Sequence, residues 1–520
     1  MQIRTLFSAM TLAAVCFTST TLLYSQSETK AAAPVSDEYL LLGDVNRGAG
    51  EPIIFVNPKD PNNIIVAAMA TLNRLPTGEV PIQRFNPGGP PKINPAATEL
   101  RIKELSVPDG SRTDIAVTQD GGKTWSFSED NFRKFFKKNR CSDSFSGAGP
   151  DGTLYMGCLA YLNLGAADYE SGHSPNGEAN VYHGGSAIAW STDKGKTWSD
   201  PVWVHPANSP QLYPPSVHPV FQGASPWDRP FFVADATTGT IYISGSGAVL
   251  TDASAKGPAS TDPNGRPSNV RFRTFLRASH DKGRTWDIPM YPIDSDEYPG
   301  SGFGQIFSAA HGKLVVAYTA TKVPAIANAT CPCTIFGTST DDGKTFHYSV
   351  VPPLPAELTR NDSPFMAFAG VMISADPSKE GRYAIARTAG KKIMITLTED
   401  GGKTWLAPVV AAEVAQGIHF GHRSMKYSPK GDLGLIWKAM REDRSFDLWS
   451  AASRDGDHTF KTVRVSHAVS PDYITERGNF LFGDDLSTVE VDTQYLHAVW
   501  GDNRSGFQGT WYGRVPLSAY

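Results

Sequence analysis

The sequence predicts an all-β fold in which four-stranded sheets repeat around a ring, and three observations carry that expectation. A phrase of the form Ser/Thr-x-Asp-x-Gly-x-Thr-Trp/Phe recurs six times. A strand–turn–strand pattern precedes each copy and occurs once more near the C terminus, giving seven. An apolar run near the N terminus, Glu38-Tyr-Leu-Leu-Leu42, has no sheet of its own. A fixed repeat of this kind decides architecture before local propensity does.

The six copies are Thr118–Trp125, Ser191–Trp198, Ser279–Trp286, Ser339–Phe346, Thr398–Trp405 and Ser453–Phe460, and only the last loses its Gly, at Asp457. Each follows a short strand-like run, such as Ile115-Ala-Val117 or Ile393-Met-Ile-Thr-Leu397. The Asp can accept hydrogen bonds from N–H groups of its own turn, and Gly supplies the φ > 0 position the turn needs. The Thr and the aromatic then open the next strand, where such side chains fit a half-buried pleat. Each phrase reads as a hairpin tip between third and fourth strands, its Asp holding the turn and not a metal or substrate. The phrase resembles the Asp-box, or bacterial neuraminidase repeat, of sialidases and many other β-propeller proteins. That resemblance covers essentially the whole chain beyond its first residues.

The quieter repeat is two apolar strands around a turn of Asp, Asn, Pro or Gly. Examples are Ile53–Asn57 with Asn63–Val66, and Phe231–Asp235 with Gly239–Tyr242. One such pair and one phrase-bearing hairpin make the four-stranded blade of a propeller. Six blades carry a phrase. The seventh has strands near 487–491, 495–500 and 510–515 and is one strand short. Residues 38–42 are expected to supply that strand, which closes the ring and abolishes a sheet edge. The expectation is a seven-bladed β-propeller forming one domain over 38–520. Six blades, the number in the resembled sialidases, is the alternative.

A formal charge of −4 with no basic run argues against a nucleic-acid partner, and 48 Gly and 38 Pro match a chain full of tight turns. Residues 1–25 place Arg4 before the apolar stretch Leu6–Leu23, a secretory signal pattern, so a secreted or periplasmic location without stable membrane insertion is expected. Four cysteines follow that segment, and in an exported protein they can pair. Cys141 and Cys158 flank one predicted hairpin, and free thiols are the alternative. Cys331-Pro-Cys333 is too tight for an ordinary zinc site. No P-loop, dinucleotide fingerprint, Gly-x-Ser-x-Gly elbow or His-Glu-x-x-His helix occurs, so no cofactor or metal is expected.

Strand connections alternate between the two ends of a blade. The first-to-second turns and the phrase turns share one end. The other receives the long insertions, roughly 72–112, 160–184, 204–228, 250–272 and 321–333. Long loops gathered on one end of a rigid scaffold are where binding and chemistry usually sit. There each first strand begins near the axis, at Glu51, Asp143, Asp228-Arg229, Gln305, Asp362, His419, His422-Arg423 and Asp484-Asp485. Charged groups converging on a funnel suit a polar ligand. Arg229 and Arg423 fit bidentate pairing with a carboxylate, and Asp228, His422 and Asp484 are the candidates for proton transfer. Asp143, Asp362, His419 and Trp227 are expected to contact substrate, with Phe420 beside them. The structural alternatives are an Asp228–Arg229 ion pair, a satisfied turn histidine at His422 and a strand cap at Asp484-Asp485.

The resemblance implies a secreted carbohydrate-active enzyme, a glycoside hydrolase of the exo-sialidase kind acting on an acidic or complex glycan. It also implies an arginine triad, a Tyr nucleophile with a Glu partner, and an Asp acid/base. The family's first arginine sits in a Phe/Tyr-Arg-Ile-Pro phrase, and the matching stretch here, Ala49-Gly-Glu-Pro-Ile-Ile54, has Gly50 in its place. Tyr473 with Glu476 is the candidate Tyr/Glu pair. Two other classes stay open: a propeller polysaccharide lyase, which His419, His422 and Arg423 would suit, and a non-catalytic propeller binding a glycan or protein or serving in assembly. A carbohydrate ligand is the expected partner.

Overall fold

Seven small antiparallel sheets stand in a ring, each packing its innermost strand against those of its two neighbours. The computed structural model describes residues 36–72, 111–129, 140–161, 185–206, 218–219, 227–250, 270–294, 305–320, 331–354, 371–443, 445–471 and 486–520. Pro34–Tyr520 form one compact unit, and the expected signal segment 1–25 lies outside the described residues. The innermost strands of sheets 1 to 7 are Arg47–Val56, Arg140–Ala148, Trp227–Ala234, Phe307–Ala310, Val371–Ala375, His419–Tyr427 and Ser487–Val491. The seven-bladed β-propeller is therefore the observed fold, and the six-bladed alternative is excluded.

Asp37–Leu42 closes the ring as the outer strand of sheet 7, antiparallel to Gly509–Pro516 with Tyr39 opposite Tyr512. This explains why sheet 7 has no phrase. Its third and fourth strands come from opposite ends of the chain, so no turn joins them. Sheet 3 differs from expectation. Within the insertion expected at 204–228, His218–Pro219 pair with Leu250 and Val249 as a fifth strand.

Alternate residues of each strand face a neighbouring sheet, so the core is a set of inter-sheet seams. Ile436, Leu448, Val489 and Trp500 fill the seam between sheets 6 and 7, and Ile65, Ile115, Leu154 and Met156 fill that between sheets 1 and 2. Each fully buried side chain of this size contributes about 1.5–3 kcal/mol.

The six repeat turns share one hydrogen-bond pattern, save that in the fourth Lys344 N donates to the backbone carbonyl of Asp341. In the fifth, Asp400 Oδ1 accepts from Thr398 Oγ1, Lys403 N and Thr404 N at 2.9–3.0 Å, while Oδ2 accepts from Thr404 Oγ1 at 2.6 Å. The bond from the last Thr hydroxyl recurs at Asp120, Asp193, Asp281, Asp341 and Asp455. These bonds, that of the Thr hydroxyl first, hold the carboxyls of Asp193, Asp341 and Asp400 down at about 2. The glycines lie at φ 83–88°, and Asp457 takes the same place at φ 68°.

Around the axis, hydroxyls tie the innermost strands together. Val489 N donates to Ser424 Oγ, Tyr427 N to Ser374 Oγ, Ala375 N to Ser308 Oγ and Ile54 N to Thr488 Oγ1, all at 3.0–3.1 Å. Ser146 Oγ donates to Ile53 O at 2.8 Å. This hydroxyl belt divides the axis into a repeat-turn end and a loop end.

Candidate functional site

At the loop end, just before the belt, four innermost strands carry the same irregularity. In sheet 1, Glu51 and Pro52 together oppose Ala68, because Gly50 pairs with Met69 and Ile53 with Ala67. In sheet 2, Asp143 and Ser144 oppose Cys158. In sheet 3, Arg229 and Pro230 oppose Gly245, and in sheet 6, Gly421 and His422 oppose Lys438. Two residues against one is a β-bulge, which bends the strand and re-aims side chains beside functional sites. Glu51 and Asp143 hold φ at 53° and 43°, a conformation costing a non-glycine residue about 1–3 kcal/mol and kept where surrounding structure enforces it.

Neighbouring parts hold the bulges of sheets 1, 2 and 6. Thr488 Oγ1 donates to Pro52 O at 3.1 Å, binding the sheet 1 bulge to sheet 7. Asp143 N–H points at Met69 Sδ, 3.4 Å away, and Ser144 Oγ meets Thr113 Oγ1 at 2.6 Å. Beneath Asp143, Cys141 pairs with Cys158 across adjacent strands, their Cα atoms 5.5 Å apart. Cys331 pairs with Cys333.

His422 is buried, and its Nδ1 accepts the backbone N–H of Ser487 at 3.0 Å. A backbone N–H can only donate, so Nδ1 is the unprotonated nitrogen and Nε2 carries the proton of the neutral ring. Arg423 is 3% exposed, and burial lowers its guanidinium to about 10. Lys438 opposes the sheet 6 bulge, buried, with Nζ donating to Gly501 O at 3.3 Å and lying over the Phe446 ring. His419, half-buried at the start of its strand, has its pKa lowered by burial first and by Lys391 second.

The sequence-predicted residues thus divide. Glu51, Asp143, Arg229 and His422 sit on equivalent bulges, and Asp228 and Trp227 precede the one in sheet 3. Asp362, Asp484, Asp485, Tyr473 and Glu476 lie outside the described residues. Gln305 has a structural task. Its Oε1 accepts from Ser424 Oγ and Met425 N of sheet 6, and its backbone carbonyl accepts from Ile373 N of sheet 5. Phe420 is buried in a core seam, edge-on to Trp437 at 6.2 Å, and so is no ligand platform. Gly50, standing where the resembled family has arginine, is covered by Gln508, whose side-chain atoms lie 2.9–3.0 Å from where a Cβ would sit.

Sequence reasoning missed the bulges, the belt and Lys438. Proline in a central strand, as at Pro52 and Pro230, is a readable bulge signal. A cavity of about 320 Å³ lies on the repeat-turn side of the belt, lined by residues that include Phe55, Phe232, Lys426 and Glu490. Its walls are mostly apolar. Lys426 Nζ lies 3.3 Å from Glu490 Oε1, and burial raises the Glu490 carboxyl. The loop end instead gathers acids, bases and cations from separate sheets at one level, and the candidate site is assigned there.

No protein-family model matches the chain, and no curated protein matches it. Among solved structures it is similar to a Dyadobacter fermentans protein of unknown function, at 14% identity over 92% of this chain and 99% of that one, with a TM-score of 0.44. It is also similar to the intramolecular trans-sialidase from Ruminococcus gnavus, at 14% identity over 74% and 96%, TM-score 0.42. The NanB sialidase from Streptococcus pneumoniae follows at 10% identity over 94% and 99%, TM-score 0.41. At such identities and scores the likeness is one of fold and adds nothing to the ring of sheets described above. Among the described residues no helix is long and apolar enough to cross a membrane.

Proposed function

We propose that the loop end is the active site of an exported glycoside hydrolase acting on an acidic or complex glycan. The observation that supports this most is the set of four equivalent bulges, two of them at positive φ on an acidic residue, placed at one level around the axis. Acids held at positive φ on the bulges of two adjacent innermost strands, with Arg229 and His422 on equivalent bulges, suit a polar-ligand site. In this reading Arg229 pairs with the glycan carboxylate, and Asp228 and Asp484 transfer protons. Asp143, Asp362, His419 and Trp227 line the sugar. Arg423, enclosed by protein, supplies positive charge behind the site.

His422 takes a narrower role than general base. With Nδ1 engaged by the Ser487 N–H, it offers Nε2–H as a hydrogen-bond donor. Elimination from a uronate needs an unprotonated nitrogen facing the proton to be removed, and the unprotonated Nδ1 of His422 is taken up by the Ser487 N–H, which supports hydrolysis over the lyase reading. The two intramolecular cystine pairs fit export to an oxidising compartment.

The test is a screen of acidic glycans that records both reducing-end release and formation of unsaturated uronate, with Asp228→Asn and Asp484→Asn beside the wild type. The reading expects reducing ends without unsaturation, and loss of at least ~10²-fold in kcat/KM in each variant. Unsaturated product would favour a lyase. Binding without turnover would favour the non-catalytic propeller.

A further inference from the structure

We propose that His280, Asp287 and Asp342 form a site for a zinc-class divalent cation that ties sheet 3 to sheet 4 at the repeat-turn end. His280 and Asp342 occupy variable positions of the third and fourth repeat turns, and Asp287 follows Trp286 of the third. None is one of the recurring aspartates, so their chemistry is free of the turn's own hydrogen bonding.

The spacing suits an ion shared between the three groups better than a direct charge-assisted hydrogen bond. His280 Nε2 lies 3.4 Å from Asp287 Oδ2 and 3.5 Å from Asp342 Oδ2, and all three atoms lie within 4.8 Å of one another. A charged imidazolium–carboxylate hydrogen bond closes to about 2.7–2.9 Å, so neither separation is a bond of that kind. Ligands held tetrahedrally at about 2.1 Å from zinc stand about 3.4 Å apart. The two measured edges match that figure.

Groups outside the trio orient the ligands. Tyr242 OH donates to Asp342 Oδ1 at 2.8 Å, which leaves Oδ2 as the atom turned to His280. Thr240 Oγ1 lies 3.4 Å from His280 Nδ1, the ring nitrogen that does not face the two carboxylates. An outer partner that holds one carboxylate oxygen and leaves the other for the ion belongs to the second layer that metal sites require. The cations of the third turn are engaged elsewhere: Lys282 pairs with Asp151 at 2.7 Å, and Arg284 stacks over Trp190. His280 and Asp287 are half-exposed, so a hydrated ion has a route in, and water completes the fourth position. Imidazole beside two carboxylates selects a zinc-class ion over magnesium or calcium, which favour all-oxygen shells.

The experiment titrates the chelator-treated full-length protein with Zn²⁺ by calorimetry, beside His280→Ala and Asp287→Asn, and repeats it with Co²⁺ in a visible spectrometer. The expected result is one more tightly bound ion per chain in the wild type than in either variant. The intense visible bands of four-coordinate Co²⁺ should be lost in both variants. Saturating Zn²⁺ should raise the wild-type Tm by about 1–3 °C and leave the variants unmoved. Both variants lie on half-exposed positions, and far-UV circular dichroism confirms that they fold. Equal Zn²⁺ stoichiometry in wild type and variants, or Co²⁺ spectra without four-coordinate bands, would overturn the site.

Discussion

At the repeat-turn end, the last Thr hydroxyl donates to the same Asp carboxylate in all six turns. At the loop end of the same sheets, the first bulge position is Glu51, Asp143, Arg229 and Gly421 in turn. One end repeats residues to obtain one geometry. The other repeats a geometry to present different residues. Where a carboxylate must satisfy the N–H groups of its own turn, only a few side chains serve, so the phrase recurs. Where the backbone is set by a shift of register, the side chain is released for chemistry and the sequence diverges.

That contrast is sharpened most by the one repeat turn that breaks the pattern. Asp457 is buried in the glycine position, with its carboxylate accepting from Arg382 Nη2 at 2.5 Å and Tyr427 OH at 2.6 Å. Asp457→Gly restores the repeat yet strips a buried cation of one partner. Losing a buried ion pair costs about 3–5 kcal/mol. Here Asp376 stays 3.2 Å from Arg382 and a strained φ is relieved, so a loss of about 2–4 kcal/mol is expected in urea unfolding. A next effect concerns the belt between the two ends. Ser424→Ala removes the acceptor for Val489 N and the donor to Gln305, at a cost of about 1–2 kcal/mol by the same assay.

Smaller still is Asp193→Ala in an ordinary turn, about 1 kcal/mol for an exposed cap. Its pH dependence is specific. The folded carboxyl is held at about 2 by its hydrogen bonds, that of the Thr197 hydroxyl first, against about 3.9 unfolded. A depressed folded value stabilises above the unfolded one and fades as pH falls through the folded one. The gap in unfolding free energy between wild type and Asp193→Ala should therefore be constant above about pH 5 and close between about pH 4 and 2.

How much of this was legible in the sequence follows the same division. The hairpins, the closing strand and the seventh sheet were all readable, because each rests on turn chemistry or strand periodicity, whereas the spacing of Cys141 and Cys158 left pairing and free thiols both open until the structure joined them. The bulges were not, although Pro52 and Pro230 hinted at two of them. A one-residue shift in pairing leaves no periodic trace, yet it decides which side chain faces the axis. For that reason Phe420, next to the sheet 6 bulge, turned out to be core, while Gln305 braces sheets 5 and 6 through contacts far away in sequence. The tautomer of His422 depends on a backbone N–H sixty-five positions away, at Ser487, which no local pattern encodes.

The central claim is that the loop end carries function and the repeat-turn end carries the fold. It is tested most directly by measuring kcat/KM on an acidic glycan for Arg229→Ala and Asp193→Ala, with Tm recorded on the same samples. The account predicts that Arg229→Ala loses at least ~10²-fold in kcat/KM with Tm nearly unchanged, while Asp193→Ala keeps its turnover and loses stability. Turnover that survives Arg229→Ala and falls with Asp193→Ala would contradict it.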